Sequence, residues 1–208
     1  MYDAILFDLD GTLVDTESLS ISAGIAAFTE HGHAVSRAFF EGLIGSDDQA
    51  SDAAFRAAFP GIDLLAVNAS FRARYHAEVA KGVPLKPGVA VLLPELRKPA
   101  AIVTSSGRNS AQNKLSITGL GVHFTHVITR DDVTKAKPDP EPYLLAARLM
   151  GASPERCLVF EDSETGAEAA HRAGCRVVQV PDILPSQGRW AHHLAPDLLT
   201  GARLAGLL

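Results

Sequence analysis

The stretch AILFDLDGTLVD, residues 4–15, sets a four-residue apolar run directly against two aspartates one residue apart. A short apolar run bounded by turn residues suits a strand covered on both faces. Packing alone gives no reason to end it in Asp8 and Asp10. Three readings compete. Asp10-Gly11 between apolar residues is a hairpin signal, but only Thr12-Leu13-Val14 would remain for the returning strand. A calcium loop starting at Asp8 needs glycine sixth and glutamate twelfth, and those places hold Leu13 and Leu19. The third reading is a catalytic site at the carboxyl end of a parallel strand, where open α/β sheets bind ligands.

Four more runs have the same character: residues 101–104, 126–128, 157–160 and 177–180. Helical patterns separate them over 88–97, 109–118, 140–150 and 163–173. Asp139 is the expected N-cap of the third, with Pro140 at its first helical position. Gly151 and Gly174 close the last two. The alternation predicts an α/β fold with an open, five-stranded, parallel, Rossmann-like sheet. Residues 15–82 break the rhythm with helical patterns at 16–31, 37–43, 47–58 and 63–81. Their expected caps are Asp15 or Thr16, Ser36, Ser46 and Asp63. The reading is an α/β core of residues 1–14 and 83–208 with an inserted helical bundle of residues 15–82.

A formal net charge of -5 over 208 residues argues against nonspecific nucleic-acid binding, which wants a basic face. A small anionic substrate stays open to it. No run approaches the roughly 18 apolar residues of a membrane helix. Met1-Tyr2-Asp3 leads straight into the first strand, which argues against a secretory signal. Cys157 and Cys175 read as reduced, buried thiols. The expectation is a cytoplasmic monomer without nucleic-acid or membrane partners.

The other strand ends discriminate between the readings of Asp8 and Asp10. One run finishes in Thr104-Ser105-Ser106-Gly107, another in Glu161-Asp162-Ser163, and Lys137 stands before Pro138. Singly, each has a bland explanation. Thr104 or Ser106 can cap a helix, Glu161-Asp162 can be a solvated helix start, and Lys137 can be a surface lysine. Jointly, Asp8, Asp10, Glu161 and Asp162 would crowd one pocket with charges that cannot all stay ionised without a cation. Carboxylate-rich oxygen sites suit Mg²⁺, which also binds substrate phosphate. With Lys137 and hydroxyl donors added, the pocket becomes a receptor for a phosphoryl group.

On these residues the chain resembles the haloacid dehalogenase-like hydrolases, in their phosphatase and beta-phosphoglucomutase-like branch with a small helical cap. The motifs are Asp8-Leu9-Asp10-Gly11-Thr12, Thr104-Ser105-Ser106, Lys137-Pro138 and Glu161-Asp162-Ser163 followed by Gly166. The resemblance implies a Mg²⁺-dependent phosphomonoester hydrolase. Its substrate would be a small phosphorylated metabolite, a sugar or sugar-acid phosphate, cleaved through an aspartyl-phosphate. Asp8 would be the nucleophile, and Asp10 the general acid and then the base. Thr104, Ser105 and Lys137 would bind phosphate, helped by backbone N–H groups near Leu9 and Ser105. Mg²⁺ would be held by Asp8, the backbone carbonyl of Asp10, Glu161 and Asp162. Strands 4–7 and 157–160 would lie side by side at the topological switch point.

Residues 15–82 would be the cap, hinged at 15–19 and 82–87, closing over the site. The loop Gly45-Ser46-Asp47-Asp48 would touch substrate. Arg108 and Asn109 would either touch it or cap the next helix. The tight segment 96–100 is a trait of some sugar-acid and hexitol phosphatases. His192 and His193 read as surface residues and Trp190 as packing. A dehalogenase acting on carbon needs neither Asp10 nor a metal. A phosphomutase usually grips a second phosphate through a basic cap-loop residue, and this loop is acidic. A non-catalytic phospholigand-binding module would usually have lost one of the acidic or lysine positions, and all are kept.

Overall fold

The computed structural model describes residues 1–44 and 48–208. The expected substrate residues Gly45, Ser46 and Asp47, with Ser46 also an expected cap, lie outside the described residues. The chain divides into two compact units, Met1–Asp15 with Val83–Leu208, and Thr16–Gly82.

The first unit is built on a parallel sheet. Its strands are β1 (Ala4–Phe7), β2 (Ala100–Val103), β3 (His126–Ile128), β4 (Cys157–Glu161), β5 (Arg176–Gln179) and β6 (His193–Leu194). Their spatial order is β3-β2-β1-β4-β5-β6. The chain therefore fills the sheet in one direction from β1, then returns to fill the other from β4. The switch point lies between β1 and β4, as expected. The sixth strand corrects the five-strand expectation. It is two residues long, too short to carry a periodic signal. His192 is exposed and His193 half-buried, so both lie at the surface, as expected. His193 belongs to the edge strand. The His192 backbone N–H donates to Val177 O at 2.8 Å, and its Nδ1 accepts from the Val177 N–H at 3.1 Å.

Side chains alternate across β1, and both faces are covered. Ala4 and Leu6 face a cluster that includes Val103, Tyr143, Ala146, Val159, Ala167 and Ala170. That cluster draws in α7 (Glu141–Leu149) and α8 (Glu164–Arg172). The opposite face carries Phe7 stacked on Phe160, ring centroids 5.0 Å apart and 7° from parallel. Near Phe160 and Val178 on that side, Gly201 of α9 (Leu198–Leu204) makes a close approach. This last helix is absent from the sequence expectation because seven residues give too few turns for a clear stripe. Asp197 caps it, its Oδ1 accepting from Thr200 N–H at 2.8 Å. The remaining helices of the unit are α5 (Val89–Glu95) and α6 (Arg108–Thr118). Asp139 performs its expected capping bond, its Oδ1 accepting from Glu141 N–H at 3.0 Å.

The second unit holds α1 (Thr16–Glu30), α2 (Arg37–Glu41), α3 (Asp48–Ala58) and α4 (Leu64–Lys81). Ser36 and Asp63 cap α2 and α4 as expected. Phe28, Phe55, Ile62, Leu64 and Val67 form its core, with Phe39, Phe40 and Phe59 packed against it. No helix of the described residues is long and apolar enough to cross a membrane.

Register then decides what meets at the sheet's carboxyl edge. Phe7 pairs with Phe160 on one side and with Ile102 on the other. The next residues outward are Asp8, Glu161 and Val103, and Asp8 N–H still donates to Phe160 O at 3.0 Å. Truncating the stacked pair should be costly. Phe160→Ala is expected to lower unfolding free energy by about 3–5 kcal/mol, read as an earlier midpoint in urea denaturation.

Candidate active site

Asp8 is 6% exposed at the end of β1. Lys137 reaches it from the segment after β3. Its Nζ donates to Asp8 Oδ1 at 2.7 Å, to Glu161 Oε1 at 2.5 Å and to Val103 O at 2.8 Å. An ammonium has three protons, so each has an acceptor. Glu161, the last residue of β4, is fully buried. Its Oε1 also accepts from Tyr143 Oη at 2.5 Å, and its Oε2 from Ser163 Oγ at 3.2 Å. Gly166 in the first turn of α8 makes room for it. A Cβ there would lie 1.9 Å from Glu161 Oε1.

Asp162 points at the turn after β1. Thr12 Oγ1 donates to its Oδ1 at 3.2 Å. Gly11 has φ +84°, and a Cβ there would meet Asp162 Oδ2 at 2.4 Å. Glycine is thus required at Gly11 for its backbone angle and for the close approach. Asp182 Oδ2 comes to the same spot, 3.3 Å from that Cβ position. Its other oxygen accepts from Lys86 Nζ at 2.5 Å, while Oδ2 is buried with no hydrogen-bond partner.

Among the described residues, carboxylate oxygens of Asp8, Glu161 and Asp162 all lie within 4.8 Å of one another. Three carboxylates against one ammonium leave an excess of two negative charges. Burial pushes the Asp8 carboxyl up to about 7, against the pull of Lys137 and with added repulsion from Glu161 and Asp10. Burial, then repulsion from Asp8 and Glu161, holds Asp162 well above the usual carboxylate range. Burial pulls Lys137 down, but its two carboxylate partners outweigh this and raise it. The two directions agree physically. Lys137 is firmly charged, and it offsets only part of what surrounds it. Burial and Glu161 also raise Tyr143, so it stays a phenol and a donor. The group can hold a metal ion. Its donors are hard oxygens and its charge deficit is that of a divalent cation.

Asp10 faces a different set of partners. Ser106 Oγ donates to its Oδ2 at 2.7 Å, and Lys114 Nζ to its Oδ1 at 2.5 Å. Ser106 is therefore not a helix cap. Gly107 takes the N-cap position of α6, and Arg108 N–H is held by Asp131 Oδ2 at 2.8 Å. Arg108 itself pairs with Asp132, its Nη2 2.6 Å from Oδ1. Thr104 is buried, and its Oγ1 accepts from Ser106 N–H at 3.0 Å. Ser105 is exposed beside it.

Lys114 and Tyr143 escaped the sequence reading. Lys114 did leave a signal, since it shares one buried helical stripe with Ala111 and Leu115. A lysine at the apolar spacing of a helix needs a partner inside. Tyr143 left none, because a tyrosine in an apolar helix reads as core.

The family model described as haloacid dehalogenase-like hydrolase matches residues 5–180. Validoxylamine A 7'-phosphate phosphatase of Streptomyces hygroscopicus subsp. limoneus is 33% identical over 177 residues, covering 84% of this chain and 83% of that protein. Hexitol phosphatase A of Escherichia coli K12 is 35% identical over 182 residues, covering 84% of this chain and 81% of that protein. A solved HAD family hydrolase from Deinococcus radiodurans R1, with bound phosphate and sodium, matches with a TM-score of 0.86 at 28% identity. That match covers 99% of this chain and 95% of the other.

Removing Lys137, whose ammonium pairs with two of these buried carboxylates, should be severe. Lys137→Met is expected to cost about 3–5 kcal/mol of stability, read by urea unfolding in metal-free buffer.

Proposed function

The chain belongs to the haloacid dehalogenase-like hydrolase family, and we propose that it is a Mg²⁺-dependent phosphatase acting on a small phosphorylated metabolite, a sugar or sugar-acid phosphate. The observation that carries this reading is Asp8 pinned by Lys137 beside Asp162, with Asp10 held apart by partners of its own. In this reading Asp8 is the nucleophile, and Asp10, anchored by Lys114 and Ser106, handles protons.

In the first step a carboxylate oxygen of Asp8 attacks phosphorus and forms the aspartyl-phosphate. The bond from phosphorus to the ester oxygen breaks, and Asp10 gives its proton to that oxygen, so an alcohol leaves. In the second step Asp10, now a carboxylate, takes a proton from water as the water oxygen bonds to phosphorus. The bond to Asp8 breaks. Inorganic phosphate leaves, Asp8 is again a carboxylate, and Asp10 is again protonated. Thr104 and Ser105 would hold the phosphoryl oxygens, and Lys137 would do so by exchanging one of its present acceptors for a phosphoryl oxygen. Asp8, Asp162 and the Asp10 carbonyl, with Glu161 assisting, would hold Mg²⁺, which supplies positive charge to the transferring group.

Both relatives named above are phosphatases, which favours hydrolysis over mutase chemistry. The helical unit, in this reading, is the cap whose residues choose the ester. Buried, unbridged Cys157 and Cys175 support work in the cytoplasm.

The test is phosphate release from a panel of sugar, hexitol and sugar-acid phosphates, with Mg²⁺ or with chelator. Activity is expected only with the metal. Asp8→Asn is expected to lower kcat by at least about a thousandfold. Activity that survives that change would refute the nucleophile assignment.

A further inference from the structure

Lys114 sits on the buried face of α6 with a side chain 5% exposed. An ammonium is unfavourable in such a place unless its protons find acceptors. Those it meets are Asp10 Oδ1 at 2.5 Å and Ser106 Oγ at 3.0 Å. Ser106 Oγ in turn donates to Asp10 Oδ2 at 2.7 Å. The three side chains close a triangle in which both oxygens of Asp10 are held. This triangle is separate from the one around Asp8, where Lys137 serves Asp8 and Glu161. Each aspartate of the first motif has a buried lysine of its own, delivered by a different segment of the chain.

Asp10 stands beyond the end of β1, on the turn that Gly11 makes with φ +84°. Its side chain is 24% exposed, so packing alone does not fix its rotamer. Proton transfer demands heavy atoms within about 2.6–3.2 Å in the reacting geometry. One donor on each oxygen, Lys114 on Oδ1 and Ser106 on Oδ2, fixes the plane of the group.

We propose that Lys114, acting with Ser106, is a positioning residue that holds the Asp10 carboxylate in the orientation its proton transfers require. The proposal rests on the phosphatase reading above. Lys114 touches neither substrate nor phosphorus in this scheme. It acts through Asp10, and its loss should appear where Asp10 is needed.

The test compares two esters in single-turnover experiments with Mg²⁺, timing release of the leaving group. A sugar phosphate leaves as an alcohol and needs a proton from Asp10. p-Nitrophenyl phosphate leaves as a stable phenolate and does not. Lys114→Met is expected to slow alcohol release by about 30- to 100-fold, within the range of general acid catalysis. Release of p-nitrophenol should slow by no more than about threefold on the same argument. Lys114→Arg should recover much of the loss. Ser106→Ala, which leaves the lysine in place and is the milder change, should show the same contrast at about five- to tenfold. Equal losses on both esters, or none, in variants that keep the wild-type circular dichroism and vanadate affinity would overturn the proposal. If wild type released neither leaving group, the phosphatase reading itself would fall, and this proposal with it.

Discussion

One buried ammonium among three carboxylates organises this molecule. Lys137 can hold Asp8 and Glu161 together only because β1 and β4 are neighbours in parallel register. That register comes from residues with no chemistry of their own. Ile5, Leu6, Phe7, Leu158, Val159 and Phe160 are all fully buried. Their burial is the source of free energy that brings like charges close. The site in turn dictates details of the backbone. Gly11 must adopt a left-handed angle where Asp162 arrives, and Lys137 must follow β3 at the distance that reaches across Val103.

Much of this was legible from the chain alone. The apolar runs marked β1 to β5 within a residue or so of their ends. The residues just past them pointed to a shared site, because carboxylates and hydroxyls that end buried strands have little structural purpose, and Asp8, Glu161 and Asp162 do come together there. The parts that were not legible share a physical cause. A sixth strand of two residues and a closing helix of seven are too short for periodicity to register. Ser106 was ambiguous because a serine before a helix is usually a cap, and only the structure shows Asp131 doing that work. Tyr143 was invisible because its ring belongs to the core while its hydroxyl belongs to Glu161. Lys114 could have been found from its place on an apolar stripe, but not its partner, which stands 104 residues away.

Glu161 shows how far the site extends behind Asp8 and Lys137. It is wholly shielded from solvent, and its Oε1 accepts from both Lys137 and Tyr143. Two donors on one oxygen fix the glutamate. The fixed glutamate fixes the lysine, and the lysine fixes Asp8. Rigidity passes outward from the core to Asp8 through three hydrogen bonds, in a region where the electrostatic strength of each is raised by exclusion of water.

Gly166 contributes no atom to any of these bonds, has no unusual backbone angle, and would look replaceable in a list of contacts. Its contribution is a volume. The space a methyl group would take is already filled by the Glu161 carboxylate. The glutamate can lie flat against the helix, within reach of lysine and tyrosine at once, because that one position on α8 is bare. A functional site is therefore defined here partly by an omission. At this position the chain specifies the chemistry of the pocket by what it leaves out.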